Sequence, residues 1–115
     1  MIVNNAFVIR MDGEIELKHA VDFRDRLRSA LADHQDIVID ASDLAAIDAS
    51  IVQLLVAAQK TAAKTGRSIR LVAPADGVLG RFLIETGFVD AHGAPLAGMG
   101  DFWRLSSTVA ISETA

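Results

Sequence analysis

The chain has 115 residues, a formal net charge of −4 and no cysteine. This length allows one domain with one core. The lack of cysteine excludes disulfides, thiolate zinc sites and a cysteine nucleophile. Basic and acidic side chains are interspersed, so no direct contact with nucleic acid is expected. With five Phe, one Trp and no Tyr, the core must be built mainly from aliphatic residues.

The first predicted element is a strand over Phe7 to Met11, closed by the turn pair Asp12-Gly13. Glu14 to Leu17 alternates polar and apolar residues, which predicts a second strand paired to the first as a hairpin. From Lys18 onward, apolar residues recur every three or four positions, the spacing of an amphipathic helix. They are Ala20, Phe23, Leu27, Ala30 and Leu31.

The middle of the chain predicts a strand, a loop and a second helix. Ile37 to Ile39 is a β-branched run typical of a central strand that is buried on both faces. A loop starts at Ser42-Asp43, and a largely apolar helix follows from Ile51 to Thr65. Gly66 is placed to end that helix.

A further strand over Ile69 to Val72 is followed by a third helix. Asp76 is the predicted cap of this helix, and Gly87 is its predicted end. The predicted inner face consists of Val78, Leu79, Phe82 and Leu83. Alternating strands and helices favour an α/β fold with parallel pairing and right-handed crossovers.

Residues 1–91 are expected to form the domain, and residues 92–115 a loop and a C-terminal extension. Within the extension, Phe102 to Ile111 predicts an added strand or a docking tail. The pair Phe102-Trp103 is expected to cover the sheet edge or the end of the core, or to contact a partner or a second copy in a homodimer. The N-terminus lacks the pattern of a secretory signal. The most apolar stretch, 44–58, is too short for membrane insertion, so a cytoplasmic protein is expected.

The segment from Asp43 to Ser50 leads from a buried strand into the start of the second helix. The first N–H groups of a helix are unpaired and its dipole is positive there, so this position favours an anion. A phosphate on Ser50 would be stabilised by the helix and would place negative charge beside Asp48. Ser50 and Gln53 also have the spacing of a capping box, which would make Ser50 a structural cap. Asp48 has the ordinary interpretation of a turn or cap residue.

Several motifs follow one another along the chain. They are Gly13-Glu14-Ile15-Glu16, Val38-Ile39-Asp40, Ile47-Asp48-Ala49-Ser50, Ala63-Lys64-Thr65-Gly66-Arg67, Ile69-Arg70-Leu71-Val72 and Phe82-Leu83-Ile84-Glu85-Thr86-Gly87-Phe88. With these motifs in this order, the chain from about Phe7 to Asp90 resembles the STAS domain family, which is named for sulphate transporters and anti-sigma factor antagonists.

The resemblance implies a STAS-like fold, with a small, mostly parallel mixed sheet and helices packed on one side. In anti-sigma factor antagonists the matching segment reads Asp-Ser-Ser-Gly, and a partner kinase phosphorylates the second serine. That serine aligns with Ser50. Here Ala49 replaces the first serine and Ile51 replaces the glycine, which puts a β-branched residue next to the acceptor. The partner surface implied by the resemblance comprises Asp43, Asp48, Ala49, Ser50 and Ile51.

The sequence therefore predicts a binding switch and not an enzyme, with no cofactor and no metal site. The expected partner is a serine kinase of the anti-sigma type. The first alternative is a constitutive subunit that binds the ATPase of an ABC-type lipid or solute transporter, with Ser50 as a helix cap. The second is a small-ligand receptor that uses the loop from Asp43 to Ser50.

Overall fold

The structure, a computed structural model, describes residues 6–74, 76–87 and 89. In this part of the chain the strands are β1 (Phe7–Arg10), β2 (Gly13–Ile15), β3 (Asp36–Asp40), β4 (Leu44–Ile47) and β5 (Ser68–Val72). The α-helices are α1 (Ala20–Asp33), α2 (Ala49–Thr65) and α3 (Val78–Glu85), and a 3₁₀ turn at Leu17–His19 precedes α1. None of the helices in these residues is long and apolar enough to cross a membrane.

Strand β3 lies at the centre of a parallel sheet between β1 and β5. Its Ile37 and Ile39 belong to the main core, and Val38 is also buried although it lies outside that core. Successive side chains of a strand point to opposite faces. Both faces of β3 are therefore covered, as the β-branched run predicts.

The main core lies between this sheet and the first two helices. Helix α1 contributes Phe23 and Leu27, and α2 contributes Leu55 and Ala58, all of them buried in the same cluster as Ile39. Apolar residues at three- and four-residue spacing bring one stripe of each helix onto the sheet. This packing fixes the direction of α2 and thereby the position of its first turn.

The predicted hairpin is wrong. Strand β1 pairs in parallel with β3, and β2 pairs in parallel with β4 in a second, two-stranded sheet. Gly13 takes a positive φ of 69°, and the β2–β4 register shifts between Gly13 and Glu14. This bend separates β2 from β1, and Ile15 packs against the core.

Strand β4 lies in the segment that the sequence predicts as a loop. Its Leu44 is buried and Ile47 is half-buried, so these residues join the core. Helix α2 begins at Ala49, two residues before the predicted start, and ends at Thr65 as predicted. Gly66 adopts the left-handed conformation at the end of the helix, with φ 72°, which glycine reaches without a Cβ penalty.

Helix α3 packs against β4 and buries Leu79 and Leu83. Its N-cap is Gly77 and not Asp76, and no side chain caps its first turn. Gly87 follows the helix with φ 84°, as expected for the residue that ends it. The predictions for the loop and extension at 92–115, including Phe102-Trp103, lie outside the described residues.

Candidate functional site

Ser50 lies in the first turn of α2, directly after the second sheet. Strand β4 ends at Ile47, Asp48 is the N-cap, and Ala49 and Ser50 are the first two helical residues. Ala49 is exposed and Ser50 is half-buried. The hydroxyl of Ser50 therefore lies at the N-terminal end of α2.

The carboxylate of Asp48 binds four donors at this position. Its Oδ1 accepts the Ser50 hydroxyl at 2.5 Å and the backbone N–H groups of Ser50 and Ile51 at 3.1 and 3.4 Å. Its Oδ2 accepts the backbone N–H of Leu17 at 2.8 Å. One carboxylate thus caps α2 and also joins this helix to the turn that follows β2.

The segment attached to Asp48 carries exposed apolar side chains. Leu17 is 68% exposed, and Val21, in the first turn of α1, is 64% exposed. The backbone bond from Leu17 to Asp48 brings this segment to the start of α2. This pairing has no signal in the local sequence, because it joins residues 31 positions apart.

Hydrogen bonding stabilises the ionised form of Asp48. The Ser50 hydroxyl makes the largest contribution to lowering the pKa of Asp48 below its ordinary value, and partial burial opposes it. The N–H groups of Leu17, Ile51 and Ser50 lower this pKa further. Donors to a carboxylate favour its charged form, so Asp48 is an anion at neutral pH.

The structure corrects the predicted role of Ser50 as a cap. The capping box with Gln53 is wrong, because Asp48 occupies the N-cap and its carboxylate accepts the first N–H groups. Aspartate two residues earlier competes successfully since an ionised acceptor makes stronger bonds than a hydroxyl. The interpretation of Asp48 as a cap is confirmed.

The other predicted site residues occupy different surroundings. Ile51 is 0% exposed and belongs to the core, so its side chain points away from the surface at Ser50 and does not obstruct access to the hydroxyl. It is therefore not available as a direct partner contact. Asp43 is exposed before β4, where its carboxylate pairs with Arg10 at 2.6 Å. Asp48, Ala49 and Ser50 lie together at the start of α2.

We expect Asp48→Asn to be less stable than the wild type by about 1 kcal/mol at neutral pH, as for a weakened N-cap. Because the folded-state pKa of Asp48 is lowered, its contribution is present above the unfolded pKa of about 4 and disappears as pH falls through the folded value. Urea unfolding at neutral pH and at about pH 3 measures both proteins.

The difference between the two proteins should therefore shrink on acidification. Ser50→Ala is the matched control, because it retains the Asp48 carboxylate and three of its four donors. A stability difference between wild type and Asp48→Asn that is unchanged at low pH would contradict the role given to the charge.

Comparisons with known proteins agree with this architecture. A family model described as "Mlab, STAS domain" matches residues 2–90. A crystal structure of a Thermotoga maritima protein assigned as an anti-sigma factor antagonist superposes with a TM-score of 0.63 at 20% identity, covering 90% of this chain and 81% of that one. At this identity the likeness shows the fold alone. A search of curated proteins finds no match.

The family model spans most of the chain, and it includes the β4–α2 segment with Asp48 and Ser50. The solved structure has the same α/β architecture as the resemblance predicts. This chain belongs to the STAS domain family.

Proposed function

We propose that this chain is a regulatory protein-binding module of the anti-sigma factor antagonist type, and that phosphorylation of Ser50 by a partner serine kinase switches it. The observation that carries the proposal is the position of Ser50. Its hydroxyl lies in the first turn of α2 and donates a hydrogen bond to the ionised carboxylate of Asp48, the N-cap residue. A phosphate there receives support from the helix N-terminus.

The proposed modification converts a donor into an anion. The Oγ of Ser50 bonds to the γ-phosphorus of ATP held by the kinase, the bond from that phosphorus to the β–γ bridging oxygen breaks, and ADP leaves. The hydroxyl proton is released. Ser50 then no longer donates to Asp48, and about 1.5–2 negative charges stand beside that carboxylate.

The new charge acts on a defined patch, the switch surface, which consists of Leu17, Ala49 and Ser50. Asp48 holds Leu17 beside the helix start through its Oδ2. Repulsion between the phosphate and Asp48 weakens this bond, and the phosphate also changes the charge that a docked partner meets. Loss of the partner thus has both an electrostatic and a positional cause.

The proposal is tested by affinity capture from native-host lysate with full-length wild-type, Ser50→Ala and Ser50→Asp baits, read by mass spectrometry. We expect a kinase-like protein of the anti-sigma type on the first two baits and its loss on the third. Asp48 and the core are unchanged in all three. Equal capture of that protein by the Ala and Asp baits would overturn the switch.

A second candidate is a constitutive subunit of an ABC-type lipid or solute transporter. One observation favours it: the four-donor network of Asp48 is complete without a phosphate. In this case all three baits retain the same transporter ATPase, and phosphorylation of Ser50 has no role.

A further inference from the structure

A second surface lies along the seam between α1 and α2, where an open groove has a volume of about 510 Å³. On the α1 side, Leu27 and Leu31 form its floor, and Arg24 and Arg28 lie beside them one turn apart. These positions follow the three- and four-residue spacing of one helix face. Helix α1 therefore presents an apolar stripe bordered by cations.

The α2 side of the groove is lined by Leu54 and otherwise by small residues. Leu54, Ala57, Ala58 and Thr61 fall on one helical face, and both Ala57 and Thr61 are exposed. Small side chains allow another helix to approach to the usual packing distance of about 8–10 Å. The two stripes, one from each helix, together form a groove in which a third helix can bind.

The charge of the groove is opposite to that of the whole chain. The described residues that line it include Arg24, Arg28 and Arg67 but no Asp or Glu, although the net charge is −4. The Nε of Arg24 is buried and has no hydrogen-bond partner. The Nη2 of Arg24 pairs with the carboxylate of Asp25 at 3.4 Å, so Arg28 and Arg67 supply the net positive charge along the groove.

The distribution of the arginines indicates how many charges the ligand carries. The α1 part of the groove, from Arg24 to Ala32, spans about 12 Å at 1.5 Å per residue, and Arg67 lies beyond the end of α2. A single-headed amphiphile such as a fatty acid places one carboxylate at one end. Several carboxylates spread over two to three turns match the three arginines better.

We propose that the α1–α2 groove, floored by Leu27 and Leu31 and bordered by Arg24, Arg28 and Arg67, binds an acidic amphipathic helix of a partner protein. This interaction uses residues other than Ser50 and does not depend on its phosphorylation. The chain would thus have two docking surfaces, the switch surface and the groove.

The test uses the full-length protein and three capped peptides of about 14 residues, which at 1.5 Å per residue exceed the length of the groove. All three carry the same leucine stripe, flanked by Glu, Gln or Lys. Affinities are measured by calorimetry, and ¹⁵N-labelled protein locates the bound peptide. We expect the Glu peptide to bind about tenfold more tightly than the Gln peptide, with shifts in α1 and α2, and the Lys peptide not to bind.

Two charge reversals on α1 provide the matched variants. Arg28 lines the groove, and Arg28→Glu should lower the affinity for the Glu peptide at least about tenfold. Arg26 lies on the face of α1 toward β1, outside the groove, and Arg26→Glu should leave the affinity unchanged. Equal effects of both reversals, or equal affinity for all three peptides, would overturn the proposal. Palmitate is tested in the same way. If palmitate shifts the NMR signals of the groove residues and the Glu peptide does not, the proposal is overturned in favour of a single-headed amphiphile.

Discussion

Leu55→Ala is expected to lower the free energy of unfolding by about 3–5 kcal/mol, the range for truncating a leucine in a rigid core. Leu55 is 0% exposed, in the cluster that also contains Phe23 and Ile39. The helix and the sheet are both fixed by other buried contacts, so the space left by the side chain will not close completely. Urea unfolding measures the loss.

Gln53→Ala is the control for this prediction. It lies on the exposed face of the same helix, and its change should stay within about 0.5 kcal/mol. The contrast separates loss of packing from any change in helix propensity. Similar losses for both variants would show that α2 does not bury the face that the structure assigns to the core.

Ser50→Asp is expected to speed hydrogen exchange of the Leu17 amide about ten- to hundredfold, because a hydrogen bond to a charged group is worth about 1.5–3 kcal/mol. The amide of Leu17 donates to Asp48 at 2.8 Å. The substitution removes the hydroxyl that donates to Asp48 and places a second carboxylate beside it. Repulsion between the two carboxylates displaces Asp48 and weakens its bond to the Leu17 amide. Exchange measured by NMR on the labelled protein reads this directly.

Two opposing effects decide the outcome at this helix start. The dipole stabilises a new anion by about 0.3–1 kcal/mol. Repulsion between two carboxylates at about 4 Å is about 1 kcal/mol in water and about 4 kcal/mol near a protein surface. Since Asp48 is half-buried, repulsion should exceed the dipole effect.

Ser50→Ala is the matched control, because it removes the same hydroxyl without adding charge. Its Leu17 amide should exchange as in the wild type. The amide of Met11, which donates to the carbonyl of Asp40 at 2.8 Å, should be unaffected in both variants. Equal exchange at Leu17 in the Ala and Asp variants would show that Asp48 does not couple Ser50 to this segment.

The sequence by itself predicted the elements whose signals are local. The buried stripe of α1, the β-branched run of β3 and the end of α2 at Gly66 were all confirmed. In each case side-chain periodicity or a glycine conformation is sufficient, since it depends on residues close together in the chain. The ordered motifs also indicated the STAS family, and the family model agrees.

Only the tertiary structure decided which strands pair and which residue caps the site. Glu14 to Leu17 can form a hairpin by its local pattern, but β2 instead pairs with β4, which lies some 30 residues later. Strand pairing depends on long-range contacts that local alternation does not specify. The same holds for Asp48. Its neighbours predict a cap, but its bond to Leu17 spans 31 positions and arises only because the turn before α1 lies at the start of α2.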